Sequence, residues 1–131
     1  MAEETLVESL VKDSVEFVKA LDIQGDRPTN VLWYYYTDAD EWRLLVAGPA
    51  FDALLPKDEK QAYQKVAKAI GKAAVDTLTI ADVKLARTDD HVLTATRSLF
   101  HTPQSAIVRA HFRDNTINGL FVKEMLVLRA A

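Results

Sequence analysis

Apolar residues near the start of the chain recur at helical intervals. Leu6, Val7, Leu10, Val11, Phe17, Val18 and Leu21 trace one stripe of a 3.6-residue period. Thr5 followed by Glu8 has capping-box spacing, so an amphipathic helix is expected to begin there. The stretch "DIQGDRPTN", with Gly25 and Pro28, ends it and turns the chain.

The period then changes to two. In "VLWYYYTDADEWRLLVAG" β-branched and aromatic residues flank the short polar turn "TDAD", the pattern of a β-hairpin. Pairing Tyr36 with Glu41 places Tyr35 opposite Trp42, Trp33 opposite Leu44 and Val31 opposite Val46, all on one side, which is expected to be core. The other side carries Tyr34 against Arg43 and Tyr36 against Glu41, with Leu32 and Leu45 nearer the far end. It is expected to be amphipathic and not fully buried: either a face covered by a helix or a docking site.

"GPAFDALLPKD" reads as a loop with at most a short helical turn. Ala62, Tyr63, Val66, Ala67, Ile70 and Ala74 then form the stripe of a second helix, with Asp58 and Gln61 as its cap and Lys57, Lys65, Lys68 and Lys72 on its solvated side. "TLTIADVKLAR" reads as a strand. In the next segment, Val92, Leu93, Thr96, Leu99 and Phe100 fit a helix that starts after Asp89 or Asp90 and stops before Pro103. The rival reading makes Val92 to Ser98 a sixth strand. Asn118-Gly119 between apolar runs is a strong hairpin signal. Folding about it sets Arg113 opposite Glu124, Asp114 opposite Lys123, Phe112 opposite Met125 and Ala110 opposite Val127, a match of charge and apolarity that a turn at Asp114-Asn115 loses.

The order is α-β-β-α-β-α-β-β: one α+β domain over residues 1–131, with a mixed or mostly antiparallel five-stranded sheet and helices on at least one face. A chain of 131 residues can bury roughly two-thirds of its unfolded surface without a covalent or metal staple. It has no cysteine, which excludes disulfides and thiolate zinc sites. The acidic "MAEETLVESL" lacks the marks of a signal peptide. The apolar runs fall short of the ~18 residues of a membrane helix. A soluble cytoplasmic protein without a cofactor is the expectation. Its general look is that of small α+β proteins of bacteria, and no residue pattern ties it to a named family.

Charge alters this picture in one respect. The net charge of −3 argues against a dedicated nucleic-acid binder. It is unevenly spread, however: Met1 to Pro56 holds 4 basic and 11 acidic residues, whereas Lys84 to Ala131 holds 7 and 4. Such asymmetry marks a polar interaction surface or two complementary faces of a dimer.

Candidate chemistry is sparse. Asp38, Asp40 and Glu41 crowd one turn but lack the length and glycine of a Ca²⁺ loop. His91, His101 and His111 are too scattered for a metal motif, and no nucleophile elbow or phosphate loop is present. Asp82 and Lys84, at Asp-x-Lys spacing, would share a strand face as in some metal-dependent nucleases, given a second carboxylate nearby. Arg109, His111 and Arg113 alternate along a strand and could meet phosphates. Tyr34, Tyr36 and Arg43 are of the types that form interface hot spots, and a guanidinium can lie over a tyrosine ring.

The resulting expectation is a non-enzymatic protein-interaction module of the immunity, antitoxin or adaptor kind, with a homodimer through a sheet face or edge compatible with it. The alternatives are a metal-dependent nuclease or phosphodiesterase built on Asp82 and Lys84, and a weak nucleic-acid binder using the Arg109 row.

Overall fold

The computed structural model describes residues 6–131. Thr5, half of the expected capping box, lies outside them. The first helix, α1 (Glu8–Gln24), has Val7 at its N-cap with no side-chain cap, and Gly25 closes it in the left-handed conformation (φ 89°). There follow β1 (Asn30–Tyr36), β2 (Glu41–Ala47), a single turn α2 (Pro49–Asp52), α3 (Glu59–Ala73), a 3₁₀ turn (Ile80–Asp82), β3 (Val83–Leu85), α4 (His91–Leu99), β4 (Ala110–Ile117) and β5 (Leu120–Ala130). The fold is α+β, in the expected order.

The five strands form one mixed sheet in the order β3-β2-β1-β5-β4, in which only the β2–β3 pair is parallel. Both hairpins adopt the expected registers, Tyr36 with Glu41 through Val31 with Val46, and Arg113 with Glu124 through Ala110 with Val127. Asn118 and Gly119 both have positive φ (49° and 79°), as the tight turn of a two-residue hairpin requires. Asp114 is also left-handed (φ 51°) and makes no ladder pair, yet its carboxylate reaches Lys123 at 3.5 Å.

Helices cover both faces. On one, α1, α2 and α3 enclose Phe17, Val18, Leu21, Val31, Trp33, Leu44, Phe51 and Val66. The buried Trp33 Nε1 donates to Ser14 Oγ at 3.1 Å, so a serine on α1 satisfies the indole inside this core. On the other face, α4 brings Val92, Leu93 and Ala95 onto Leu32, Tyr34, Leu45, Met125 and Val127. Of the two expected alternatives for this face, a covering helix holds over Leu32, Leu45 and Tyr34, which are buried, while Tyr36, Glu41 and Arg43 keep solvent contact. An apolar run such as "VLWYYY", without polar alternation, belongs to a strand packed on both sides.

Two corrections concern local elements, and the helix expected around Val92 is present. The strand expected from "TLTIADVKLAR" shrinks to Val83–Leu85, because Thr79 and Asp82 bond reciprocally and wind the preceding residues into a 3₁₀ turn. In α3, Ala62, Tyr63, Val66 and Ile70 face the core as expected, whereas Ala69 and Ala73 pack there in place of the exposed Ala67 and Ala74; its Asp58 cap does accept from the Gln61 N–H. The segment from His91 is a helix, capped by Asp90.

Candidate functional site

Part of the charge asymmetry along the chain is met by ion pairs within the fold. Arg129 pairs with Asp22, Arg109 with Glu8 and Lys65 with Asp26, each joining the acidic first part to the later residues. These residues therefore bind segments together.

Asp82 and Lys84 are not brought to a common purpose. Asp82 Oδ2 accepts from Thr79 N at 2.9 Å and caps its own turn, before β3 begins. Lys84 instead crosses to β1, where its Nζ sits 4.7 Å from the centre of the Tyr36 ring and 3.4 Å from the Tyr36 hydroxyl. Among the described residues no group of three or more His, Asp or Glu side chains is arranged to hold a metal ion.

Of the expected basic row, His111 and Arg113 lie on β4, and Arg109 stands just before its first residue. Each member meets a carboxylate: Arg109 with Glu8 at 2.7 Å, His111 and Arg113 with Glu124 at 2.6 and 3.0 Å. The row thus forms one wall of a groove whose other parts include Leu6, Val11 and Leu126.

The Tyr36 end of the sheet is built differently. Tyr34 is buried, and its ring supports Tyr36 edge-on with centroids 4.8 Å apart. Tyr36, at the last position of β1, stays partly exposed. Burial and the Asp90 carboxylate raise its phenol pKa above the ordinary 10.0, against the opposing pull of Arg43. The cation over the ring is Lys84 and not Arg43. Parallel pairing sets Lys84 beside Leu45, on the tyrosine face, while Arg43 donates to the Val83 carbonyl at 3.2 Å and lies 3.5 Å from Glu41.

Tyr36, together with Asp38, lines both of two shallow clefts. One, of about 310 Å³, holds Asp38, Glu41, Arg43 and Lys84. The other, of about 190 Å³, holds His91, Leu120, Lys123 and Phe121, whose side chain on β5 is 55% exposed. The exposed phenylalanine, the supported tyrosine, the cations Arg43 and Lys84 and the carboxylates of Asp38 and Glu41 thus share this end of the sheet. Phe121 was absent from the sequence expectation because nothing local distinguishes it from a core strand residue.

A separate cleft, of about 590 Å³, opens where β1, α2, α4 and the loop before α4 meet, with Asn30, Asp52, Thr88 and Arg97 in its lining. Sequence reasoning missed these residues. Arg97 was visible only as a cation in the last turn of a helix.

No helix of the described residues is long and apolar enough to cross a membrane. Comparison with protein-family models, with curated proteins and with solved structures finds no match to this chain.

Proposed function

We propose that the chain is a non-enzymatic protein-interaction module of the immunity, antitoxin or adaptor kind, and that its partner docks at the Tyr36 end of the sheet. The observation that carries this reading is the position of Tyr36 between two clefts, backed by Tyr34, flanked by Lys84 and Arg43, and adjoined by exposed Phe121. A ring already held by its neighbours loses little conformational freedom on docking, and Tyr and Arg are enriched among residues that dominate binding energy. The fitting partner seats an apolar side chain between Tyr36 and Phe121 and presents an acidic group to Lys84.

The nuclease reading loses its support because Asp82 caps a turn. The nucleic-acid reading is weakened by Glu8 and Glu124, which stand against the Arg109 row. A second copy of the chain remains an admissible occupant of the Tyr36 surface.

The test is affinity capture from native lysate, with and without nuclease, by three proteins: wild type, Tyr36→Ala/Arg43→Ala, and Ile23→Ser, which alters an exposed apolar residue on α1. Sedimentation follows self-association in parallel. A nuclease-resistant stoichiometric protein, or a dimer, lost in the double variant and kept in Ile23→Ser supports the reading. Capture or dimerisation unchanged in the double variant, or only nucleic acid recovered, overturns it.

A further inference from the structure

We propose that the cleft lined by Asn30, Thr88 and Arg97 is a binding site for a small oxyanion, a carboxylate or phosphate group, held by the Arg97 guanidinium. This site is separate from the Tyr36 surface and does not depend on it.

Two observations converge there. First, Arg97 has no carboxylate within salt-bridge distance among the described residues, whereas every other arginine does. Its guanidinium is held by neutral acceptors: Nη1 donates to Asn30 Oδ1 at 3.1 Å, Nη2 to the Thr88 carbonyl at 2.7 Å and, at 3.5 Å, to Thr94 Oγ1. A guanidinium carries five N–H donors, so at least two remain uncommitted. Second, Asn30 is completely buried, yet its Nδ2 has no hydrogen-bond partner. Turning the amide over does not relieve this. Oδ1 accepts from both Arg97 and Thr29 Oγ1, and a guanidinium cannot accept from an N–H, so Arg97 fixes the amide with Nδ2 away from it.

Three bonds to neutral acceptors brace α4 against β1 but leave the guanidinium without a directly paired carboxylate. The uncommitted guanidinium donors call for an acceptor bearing negative charge. The site is also preorganised. Asp52 holds Thr88 through its backbone N–H at 2.9 Å and through its hydroxyl, and the Thr88 carbonyl in turn holds Arg97. Strand β1, the α2 turn and α4 thus fix the guanidinium before any ligand arrives.

The experiment is a titration of the ¹⁵N-labelled protein with sodium acetate and with sodium phosphate, each against sodium chloride at equal ionic strength, followed by amide shifts. Expected are saturable shifts at Thr29, Asn30, Thr88 and Arg97 with one or both oxyanions and not with chloride; the tighter of the two identifies the class. Arg97→Gln weakens the response at least tenfold. Asn30→Asp keeps Arg97 but supplies the missing carboxylate from within, and is expected to abolish the response. Shifts that fail to saturate, that spread over surface lysines, or that persist unchanged in either folded variant overturn the proposal. The wild-type titration decides alone if both variants fail to fold.

Discussion

Arg129 and Asp22 form a two-point ion pair, Nη1 to Oδ1 and Nη2 to Oδ2, both at 2.9 Å, that ties the last strand to the end of the first helix. The Arg129 side chain is wholly buried, and its remaining donors go to the carbonyls of Ala106, Pro28 and Ser105. A guanidinium taken out of water in this way depends on its carboxylate partner, because removing one member leaves the other charge buried and uncompensated. Asp22→Ala is therefore expected to lower stability by about 3 kcal/mol. Replacing both residues, as Asp22→Leu with Arg129→Met, is expected to cost less than that single change. Urea denaturation of the two variants and wild type checks the order, and equal losses would show that the pair carries no buried charge penalty.

The neighbouring tyrosines of β1 separate fold from surface. Tyr34 lies in the core beneath α4, and Tyr34→Ala is expected to cost about 3 kcal/mol, as truncation of a buried aromatic does. Tyr36 is partly exposed, and Tyr36→Ala is expected to cost about 1 kcal/mol, mainly through lost contact with Tyr34 and Lys84. Thermal unfolding of both variants measures the gap. A Tyr36 loss as large as that of Tyr34 would make any binding defect of Tyr36→Ala a consequence of unfolding.

What could be read from the residues alone follows how local each signal is. Both hairpin registers were legible because side chains alternate with period two and the turns "TDAD" and Asn118-Gly119 fix the phase. The short β3 was not, although Thr79-x-x-Asp82 has the spacing of a reciprocal cap; the apolar residues around it outweighed that cue. At the Tyr36 surface, Tyr36 and Arg43 were legible from residue type, but Lys84 arrives only through parallel pairing of β3 with β2. The Arg97–Asn30 bond joins residues 67 apart and leaves no trace in local pattern.

The row at β4 makes its own prediction. Arg109, His111 and Arg113 face Glu8 and Glu124, so wild type is expected to bind nucleic acid weakly or not at all at physiological salt. Glu8→Gln with Glu124→Gln removes both countercharges and is expected to raise affinity for duplex DNA, with a steeper salt dependence. Fluorescence anisotropy across a salt series tests this. Strong wild-type binding that the double variant leaves unchanged would place the contact on another face.

Asp26 links stability to acid. Burial acts to raise its pKa, but hydrogen bonds with Gln24 and Lys65, together with the Lys65 and Lys68 charges, outweigh it and hold the carboxyl below its ordinary 3.8. Lys65 Nζ sits 3.0 Å from Oδ1. Since the folded pKa lies below the unfolded one, the contribution is complete above the unfolded value and is lost as pH falls through the folded value. The window therefore lies below about pH 4. Lys65 keeps a third of its side chain in solvent, so screening limits the effect to roughly 0.5–1 kcal/mol. Asp26→Asn is expected to show that loss at pH 7 and to converge on wild type as the pH approaches 2. Urea midpoints at pH 7, 4 and 2 measure it, and a difference that stays constant across this range would show that the Asp26 charge does not contribute.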